Sequence, residues 1–252
     1  MALPRILAML EHRPTTPRRP ARTMLTAALL LAGSVGGAWA ARPFMTDDAR
    51  ITTEGSCQVE SWARHYSERS ELWALPACNL GGRLELTAGV GQFRADGQGG
   101  SRDEVLQAKT LFRSLQTNDW GWGLAVGHIA HPSAQPGPNR FGGNYLYLPL
   151  SVSTRDDRLV WHANLGWSRD RQSRRDMATW GAGLEYWASA RVMLIAETFG
   201  DDRQKPFVQT GVRFSVVPGL FQIDGTWGTQ PGVSGRAPWV SLGLRYTPDK
   251  LF

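Results

Sequence analysis

Three polar residues in the second half of the chain are of types that serine hydrolases use. His162 and Asn164 lie two positions apart, and Ser168 follows in the same segment. A histidine can activate a serine hydroxyl, and a polar neighbour can orient that histidine. The His-x-Ser order used by outer-membrane phospholipases is absent from this segment. Polar residues two apart on one face of a strand are the favoured interpretation, so we expect no enzyme, no catalytic residue and no cofactor.

The two cysteines, Cys57 and Cys78, are predicted to form a disulfide. If the first two strands pair about a turn near Ser67 and Glu68, the cysteines lie directly opposite each other. Opposed residues of an antiparallel pair have Cα atoms about 4.5–5.5 Å apart, within disulfide range. An exported chain with an even cysteine count favours the bond. No histidine lies at ligand spacing from either cysteine, so we expect no metal site.

Charged and polar residues keep to one phase of an alternating pattern, and large apolar residues keep to the other. We predict that the polar phase lines the lumen of a barrel. The residues predicted to line it are Glu60, Arg64, Glu85, Lys109, Arg113, His162, Asn164, Glu185, Glu197, Gln209, Arg213, Asp224 and Arg245. Many glycines share this phase, and we expect water, a substrate or a plug to fill the volume that they leave.

The elements that must position these residues are about twelve β-strands. Short joins alternate in strict order with longer polar links, at residues 95–103, 116–119, 131–143, 155–158, 188–190, 201–206, 218–219 and 228–238. An even number of strands with this alternation predicts an all-β fold, a single antiparallel transmembrane β-barrel with both termini periplasmic. A soluble sandwich also alternates, but it does not require alternating connection lengths or an outer face rich in tryptophan; the chain has eleven tryptophans.

The amino terminus predicts export. Five arginines and one glutamate precede an apolar run at residues 24–35, and Ala38-Trp39-Ala40 provides a small-x-small cleavage site. Residues 1–40 are therefore predicted to be a signal peptide. Without them the formal charge of +6 falls to about +2, which gives no argument for nucleic-acid binding. Residues 41–56 are expected to lie in the periplasm or to enter the lumen as a partial plug, and residues 57–252 to form the barrel in the outer membrane.

One hairpin carries a prediction of register. A two-residue turn at 218–219 makes the numbers of facing residues sum to 437. This register places Arg213 opposite Asp224, Phe214 opposite Ile223 and Val216 opposite Phe221. Across the seam that closes the barrel we expect Glu60 beside Arg245, with Glu85, Arg113 and Glu185 completing a charged arc.

The start of the mature chain resembles a known group of proteins. Residues 42–49 read Arg-Pro-Phe-Met-Thr-Asp-Asp-Ala, residues 55–62 read Gly-Ser-Cys-Gln-Val-Glu-Ser-Trp, and residues 73–79 read Trp-Ala-Leu-Pro-Ala-Cys-Asn. They resemble exported Gram-negative proteins that begin Arg-Pro-x-x-Thr-Asp-Asp-Ala and are related to the family of phenol meta-cleavage pathway proteins. The resemblance spans most of the mature chain and implies an outer-membrane barrel for uptake of small compounds, aromatic ones among them. It brings no catalytic residues.

Twelve strands fall between the filled eight-stranded barrels and the water-filled sixteen-stranded porins. We therefore expect a narrow channel or uptake route for small solutes, with aromatic or hydrophobic compounds as candidates. The alternatives are a non-conducting structural barrel and an outer-membrane lipid hydrolase. The expected partners are outer-membrane lipid, lipopolysaccharide at the arginine-rich loop of residues 169–176, and the barrel-assembly machinery. No nucleic-acid partner is expected.

Overall fold

The computed structural model describes residues 44–95, 97, 100–131, 143–170, 175–233 and 238–252, so the predicted signal peptide lies outside the described residues. The strands are β1 (Ser56–His65), β2 (Arg69–Asn79), β3 (Leu84–Ala95), β4 (Ser101–Arg113), β5 (Trp120–Ala130), β6 (Gly143–Thr154), β7 (Leu159–Asp170), β8 (Arg175–Trp187), β9 (Val192–Asp201), β10 (Phe207–Val217), β11 (Phe221–Thr229) and β12 (Trp239–Tyr246). Among the described residues, no helix is long and apolar enough to cross a membrane.

The strands close into one antiparallel barrel. Each strand pairs with the next along the chain, and β1 pairs with β12. Closure leaves no free strand edge, which a bilayer requires because its interior offers no hydrogen-bond partners. The predicted fold class is confirmed.

The barrel is apolar outside and polar inside. Outward leucines are among the most exposed large side chains, with Leu106 at 63%, Leu165 at 69% and Leu242 at 74%. Arg213 and Glu185 lie in the opposite phase and are 0% and 1% exposed. This inversion of a soluble protein's pattern is typical of a barrel whose outer face contacts lipid.

The connections do not alternate strictly in length, contrary to the prediction. At the end where β1 begins and β12 ends, here the short-turn end, the connections span three to six residues. At the opposite long-loop end, β1 and β2 are joined by only three residues, and β7 and β8 by four. The β7–β8 ladder extends further than predicted, as far as the pairing of Asp170 with Arg175, and Arg169 lies 3.7 Å from Asp176 near its end. Two of the arginines predicted to lie in an outward loop, Arg169 and Arg175, therefore belong to strands, and Arg171 and Arg174 lie outside the described residues.

Most of the predicted pairings are confirmed. Cys57 faces Cys78 and forms a disulfide with it, with Cα atoms 4.0 Å apart. Arg213 faces Asp224, Phe214 faces Ile223, and Glu60 faces Arg245 across the seam.

The predicted pairing of Val216 with Phe221 is wrong. The ladder bulges after Ser215, and Val217 takes the place opposite Phe221. The connection is a three-residue loop with Gly219 at a φ of 78°. Such loops commonly combine a glycine in the left-handed region with a bulge, and the extra residue breaks the constant sum at the end of the hairpin.

The prediction that Arg113 lines the lumen is also wrong. A bulge between Leu111 and Arg113 shifts the phase of β4, so that Arg113 faces the outward residue Trp122. Its guanidinium binds the carboxylate of Asp119 at 2.7 Å and lies 4.4 Å from the centre of the Trp120 ring. Because alternation counts positions along an ideal strand, it cannot anticipate an extra residue.

Candidate functional site

The lumen contains residues 44–53, here called the plug, which precede β1. The plug has no regular secondary structure, so its backbone amides need partners on the barrel wall. Glu197 on β9 accepts hydrogen bonds from the amides of Met45, at 2.9 and 3.0 Å, and of Thr46, at 2.9 Å. The side-chain amide of Gln209 donates to the same carboxylate at 2.8 Å. A wall carboxylate thus holds the beginning of the plug.

Further amides of the plug also donate to wall side chains. They pair Asp47 with Asn164 Oδ1 at 2.7 Å, Ala49 with Ser151 Oγ at 2.8 Å, and Thr52 with Glu85 Oε2 at 2.7 Å. Asn164 also donates from Nδ2 to the carbonyl of Asp47 at 2.7 Å. These wall side chains, Glu85 on β3, Ser151 on β6 and Asn164 on β7, all belong to the polar phase of their strands.

Buried ion pairs join the plug to the wall. Lys109 Nζ lies 2.8 Å from Asp47 Oδ2 and 3.5 Å from Asp48 Oδ1, and its side chain is only 3% exposed. Arg50 lies 3.2 Å from both Asp48 and Glu185. Burial raises the pKa of the Asp48 carboxyl, while Lys109 and Arg50 act in the opposite direction. The plug therefore presents both signs of charge to complementary wall residues.

Two inward glycines receive side chains of the plug. A Cβ at Gly181 would lie 2.5 Å from Thr46 Oγ1, and a Cβ at Gly183 would lie 2.9 Å from the ring of Phe44. Phe44 is itself 5% exposed and forms a small cluster with buried Met193. The glycines here provide the room that the plug occupies.

Other inward glycines are covered by aromatic rings of the neighbouring strand. The ring of Trp73 lies over Gly91, that of Tyr145 over Gly127, and that of Trp239 over Gly228, each within 2.6 Å of where a Cβ would stand. The volume that glycine leaves on these strands is therefore taken by the wall and not by water or solute.

Aromatic side chains line the wall toward the long-loop end and are here called the vestibule: Trp62, Tyr66, Trp73, Phe93, Tyr145, Phe199, Phe207 and Trp239. Their ring centres approach to between 5.4 and 6.0 Å in the Trp62–Trp73, Trp73–Phe93, Phe199–Phe207, Phe207–Trp239 and Tyr66–Trp239 pairs. The guanidinium of Arg64 lies over Trp239 and donates to the sulfur of Met45, so the start of the plug borders the vestibule.

The sequence interpretation missed the vestibule because it considered tryptophan only as a residue of the outer face. The signal was present in the phase. Trp62 lies between Glu60 and Arg64 in the inward register, and Phe207 shares the register of Gln209. An aromatic residue in the charged phase of a strand indicates a ring that faces the lumen.

The structure brings most of the predicted lining residues together inside the barrel. Those that are buried are Arg64, Glu85, Lys109, His162, Glu185, Glu197, Gln209, Arg213, Asp224 and Arg245. Glu60 and Asn164 are half-buried, and Arg113 is outside. Ser151 and Tyr147, which contact the plug, were missed although both share the polar phase of β6.

His162 has a different serine partner from the one that the sequence suggested. Its Nδ1 atom lies 2.8 Å from Ser151 Oγ, and its Nε2 atom lies 3.6 Å from Glu185 Oε1. Ser168 is six residues further along β7 and faces Tyr145. The Ser151 hydroxyl already accepts the Ala49 amide at 2.8 Å, so this serine is in contact with the plug.

The chain was compared with known proteins. A family profile described as Uncharacterised conserved protein UCP029691 matches residues 27–246. No protein of curated function matches the sequence. Solved structures with a similar fold include the KdgM porin, at 10% identity and a TM-score of 0.57, covering 75% of this chain and 98% of the porin.

Two other solved structures are similar. The COG4313 outer membrane channel from Pseudomonas putida F1 is 12% identical, with a TM-score of 0.54, and the match covers 80% of this chain and 98% of the channel. The Salmonella typhi outer membrane phospholipase, solved as a dimer with bound calcium, is 11% identical with a TM-score of 0.50, covering 83% and 94%. At these identities the likeness extends to the barrel fold alone.

Proposed function

We propose that this chain, which belongs to the family described as Uncharacterised conserved protein UCP029691, is an outer-membrane channel for the uptake of small solutes. Aromatic or hydrophobic compounds are the candidate solutes, and the plug closes the lumen in the resting state. The proposal rests on one observation: the plug is bound through side chains and is no part of the β-ladder. Each strand pairs with two other strands, so the plug can leave without breaking a strand pairing.

The vestibule supports the choice of solute. Aromatic rings bind other rings and apolar groups by stacking and edge contacts, at a cost in side-chain entropy that is low because the rings are already packed. The pairs Trp62–Trp73 and Phe199–Phe207 are stacked with interplanar angles of 16°. A solute that enters from the long-loop end meets these rings before it meets the plug.

Conductance separates this function from a structural barrel. The full-length protein is reconstituted into planar bilayers and, in parallel, into liposomes. Swelling of the liposomes in an isotonic arabinose solution reports the entry of arabinose. We expect infrequent openings for the full chain and steady flux for a variant that lacks residues 44–53. If that variant forms a heat-modifiable barrel yet passes neither ions nor arabinose, the barrel is non-conducting and the channel proposal fails.

A hydrolase is the second candidate, favoured by the contact of Ser151 with His162 and by the nearby Glu185. In a serine hydrolase the base leaves the hydroxyl free to attack the substrate, whereas here the hydroxyl is bound to the Ala49 amide. We assign this group to anchoring the plug. A fluorophosphonate probe is expected to leave Ser151 unmodified in the full-length protein, and labelling of Ser151 in the variant lacking residues 44–53 would favour the hydrolase.

A further inference from the structure

In the Asp47 side chain, Oδ1 accepts the amide of Asp48 within the plug at 2.9 Å, and Oδ2 contacts residues of the wall. This Oδ2 atom lies 2.8 Å from Lys109 Nζ and accepts a hydrogen bond from the Tyr147 hydroxyl at 2.6 Å. Hydrogen bonds that involve an ionised partner are about twice as strong as neutral ones. One ammonium and one phenol on β4 and β6 thus converge on a single carboxylate oxygen.

Lys109 needs an anionic partner whether or not the plug supplies it, while the Tyr147 hydroxyl also lies 3.2 Å from Gln107 Oε1. The Lys109 side chain is 3% exposed, and a buried ammonium without a partner is strongly unfavourable because it has lost its hydration. Glu85 faces Lys109 across the β3–β4 ladder, but its carboxylate accepts the amide and hydroxyl of Thr52 in the plug. When the plug leaves, Glu85 is the wall's own competitor for Lys109.

The site formed by Lys109 and Tyr147 borders aromatic side chains of the barrel wall. Tyr147 stacks with Tyr145, with ring centres 6.2 Å apart and an interplanar angle of 11°. Tyr145 belongs to the vestibule, and its hydroxyl donates to Gln107 at 2.9 Å and not to the plug. A carboxylate held by Lys109 and Tyr147 would therefore place an attached ring beside these two tyrosines.

From these contacts we propose that Lys109 and Tyr147 form the binding site for the carboxylate of a small aromatic acid, and that Asp47 occupies this site in the plugged state. The inference rests on the proposed channel function and specifies its solute class. Solute and plug then compete for one site, so solute binding weakens plug binding and plug binding weakens solute binding by the same factor. An aromatic acid would help to open the route that it uses.

Binding of benzoate to the full-length protein in detergent, measured by titration calorimetry, tests the site without requiring conduction. Asp47→Asn should bind benzoate about tenfold more tightly than the unchanged protein, within the usual range of coupling between two sites. In the Asp47→Asn background, Tyr147→Phe and Lys109→Met should each weaken binding about fivefold or more. Tyr145→Phe, the matched control that removes a hydroxyl with no contact to Asp47, should change it by less than about twofold. Glu85→Gln should strengthen it.

Benzyl alcohol, which keeps the ring without the charge, should bind at least about tenfold more weakly than benzoate to Asp47→Asn. Equal affinities for the two compounds, or equal effects of Tyr147→Phe and Tyr145→Phe, would overturn the carboxylate site. If Asp47→Asn does not fold, the titration is repeated with the variant lacking residues 44–53. If that variant conducts but binds no benzoate, the proposed solute class is wrong and the channel proposal stands. If it binds benzoate without conducting, the carboxylate site stands and the channel proposal is wrong.

Discussion

The Nζ atom of Lys109 lies 2.8 Å from Oδ2 of Asp47, and the ion pair joins the barrel wall to a segment outside the β-ladder. Breaking a buried ion pair is costly because each charge loses its partner while water is still excluded. Opening of the lumen therefore requires either that water reaches both groups or that another carboxylate replaces Asp47. The plug is held by several such contacts, and each can be weakened separately.

Glu197→Gln should loosen the plug. The carboxylate accepts the amides of Met45 and Thr46, and a hydrogen bond to a charged group contributes about 1.5–3 kcal/mol. A neutral amide keeps the shape but loses that strengthening. We expect the open probability in planar bilayers to rise about tenfold, which corresponds to a loss of about 1.4 kcal/mol.

The matched control is Glu71→Gln. Glu71 is also an inward, buried carboxylate, but its ion-pair partners are Arg64 and Arg69 on the wall and not the plug. Its replacement should leave the open probability within about twofold of that of the unchanged protein, because it removes no hydrogen bond to the plug and Arg64 keeps its contact with Met45. Equal effects of the two substitutions would contradict the role given to Glu197.

Gly181→Ala should displace the plug without harming the barrel. The new Cβ would lie 2.5 Å from Thr46 Oγ1, closer than real contacts allow, and the plug is the part that can move. Gly225→Ala is the control, since a Cβ there meets nothing closer than 3.6 Å. Conductance should rise for Gly181→Ala alone, with the same heat-modified gel shift for both. A lower unfolding temperature for Gly181→Ala without a rise in conductance would indicate strain in the wall instead.

Replacing both Cys57 and Cys78 by serine should lower the free energy of unfolding by about 3 kcal/mol, as expected for a loop of this length. The cysteines are 21 positions apart and join β1 to β2. Urea unfolding of the folded protein in lipid vesicles, with and without reductant, measures the effect. Reductant should reproduce the loss in the unchanged protein and do nothing to the double variant. A double variant as stable as the parent would remove the disulfide from the account of stability.

Asp224→Asn should shift ion selectivity toward anions. Asp224 faces Arg213 in the β10–β11 ladder, and both side chains are buried in the lumen. Without the carboxylate, positive charge dominates this part of the wall. The reversal potential in a salt gradient, measured in the variant lacking residues 44–53, reports the change. Asp249→Asn, an exposed residue after β12, is the control, and a shift of equal size there would rule out a lumenal origin.

The sequence was enough to predict the barrel, its strand number and most of the few residue pairings that were proposed, because alternation and turn residues act over many strands together. The pairing of Glu60 with Arg245 followed from the same pattern although the two residues are far apart along the chain. The errors at Arg113 and Val216 have one physical cause. A bulge adds a residue to one strand only, and no residue type at these two positions signals it.

The plug contacts could not be predicted from the sequence. Residues 44–53 have neither strand nor helix periodicity, so nothing in their pattern specifies which wall residues they meet. The contacts of Asp47 with Lys109, Tyr147 and Asn164 depend on how a chain without repeating structure folds back into the lumen. The vestibule, in contrast, could have been predicted from the sequence, because aromatic residues in the charged phase of a strand face inward.

The most direct test of the plugged-channel account compares the single-channel conductance and open probability of the full-length protein with those of the variant lacking residues 44–53. Both are purified from outer-membrane fractions and checked for the heat-modified shift of a folded barrel. The account predicts that the full chain is closed for most of the recording and that the shortened chain is open with a steady conductance. Equal open probabilities for the two proteins would contradict the assignment of residues 44–53 as the element that closes the lumen.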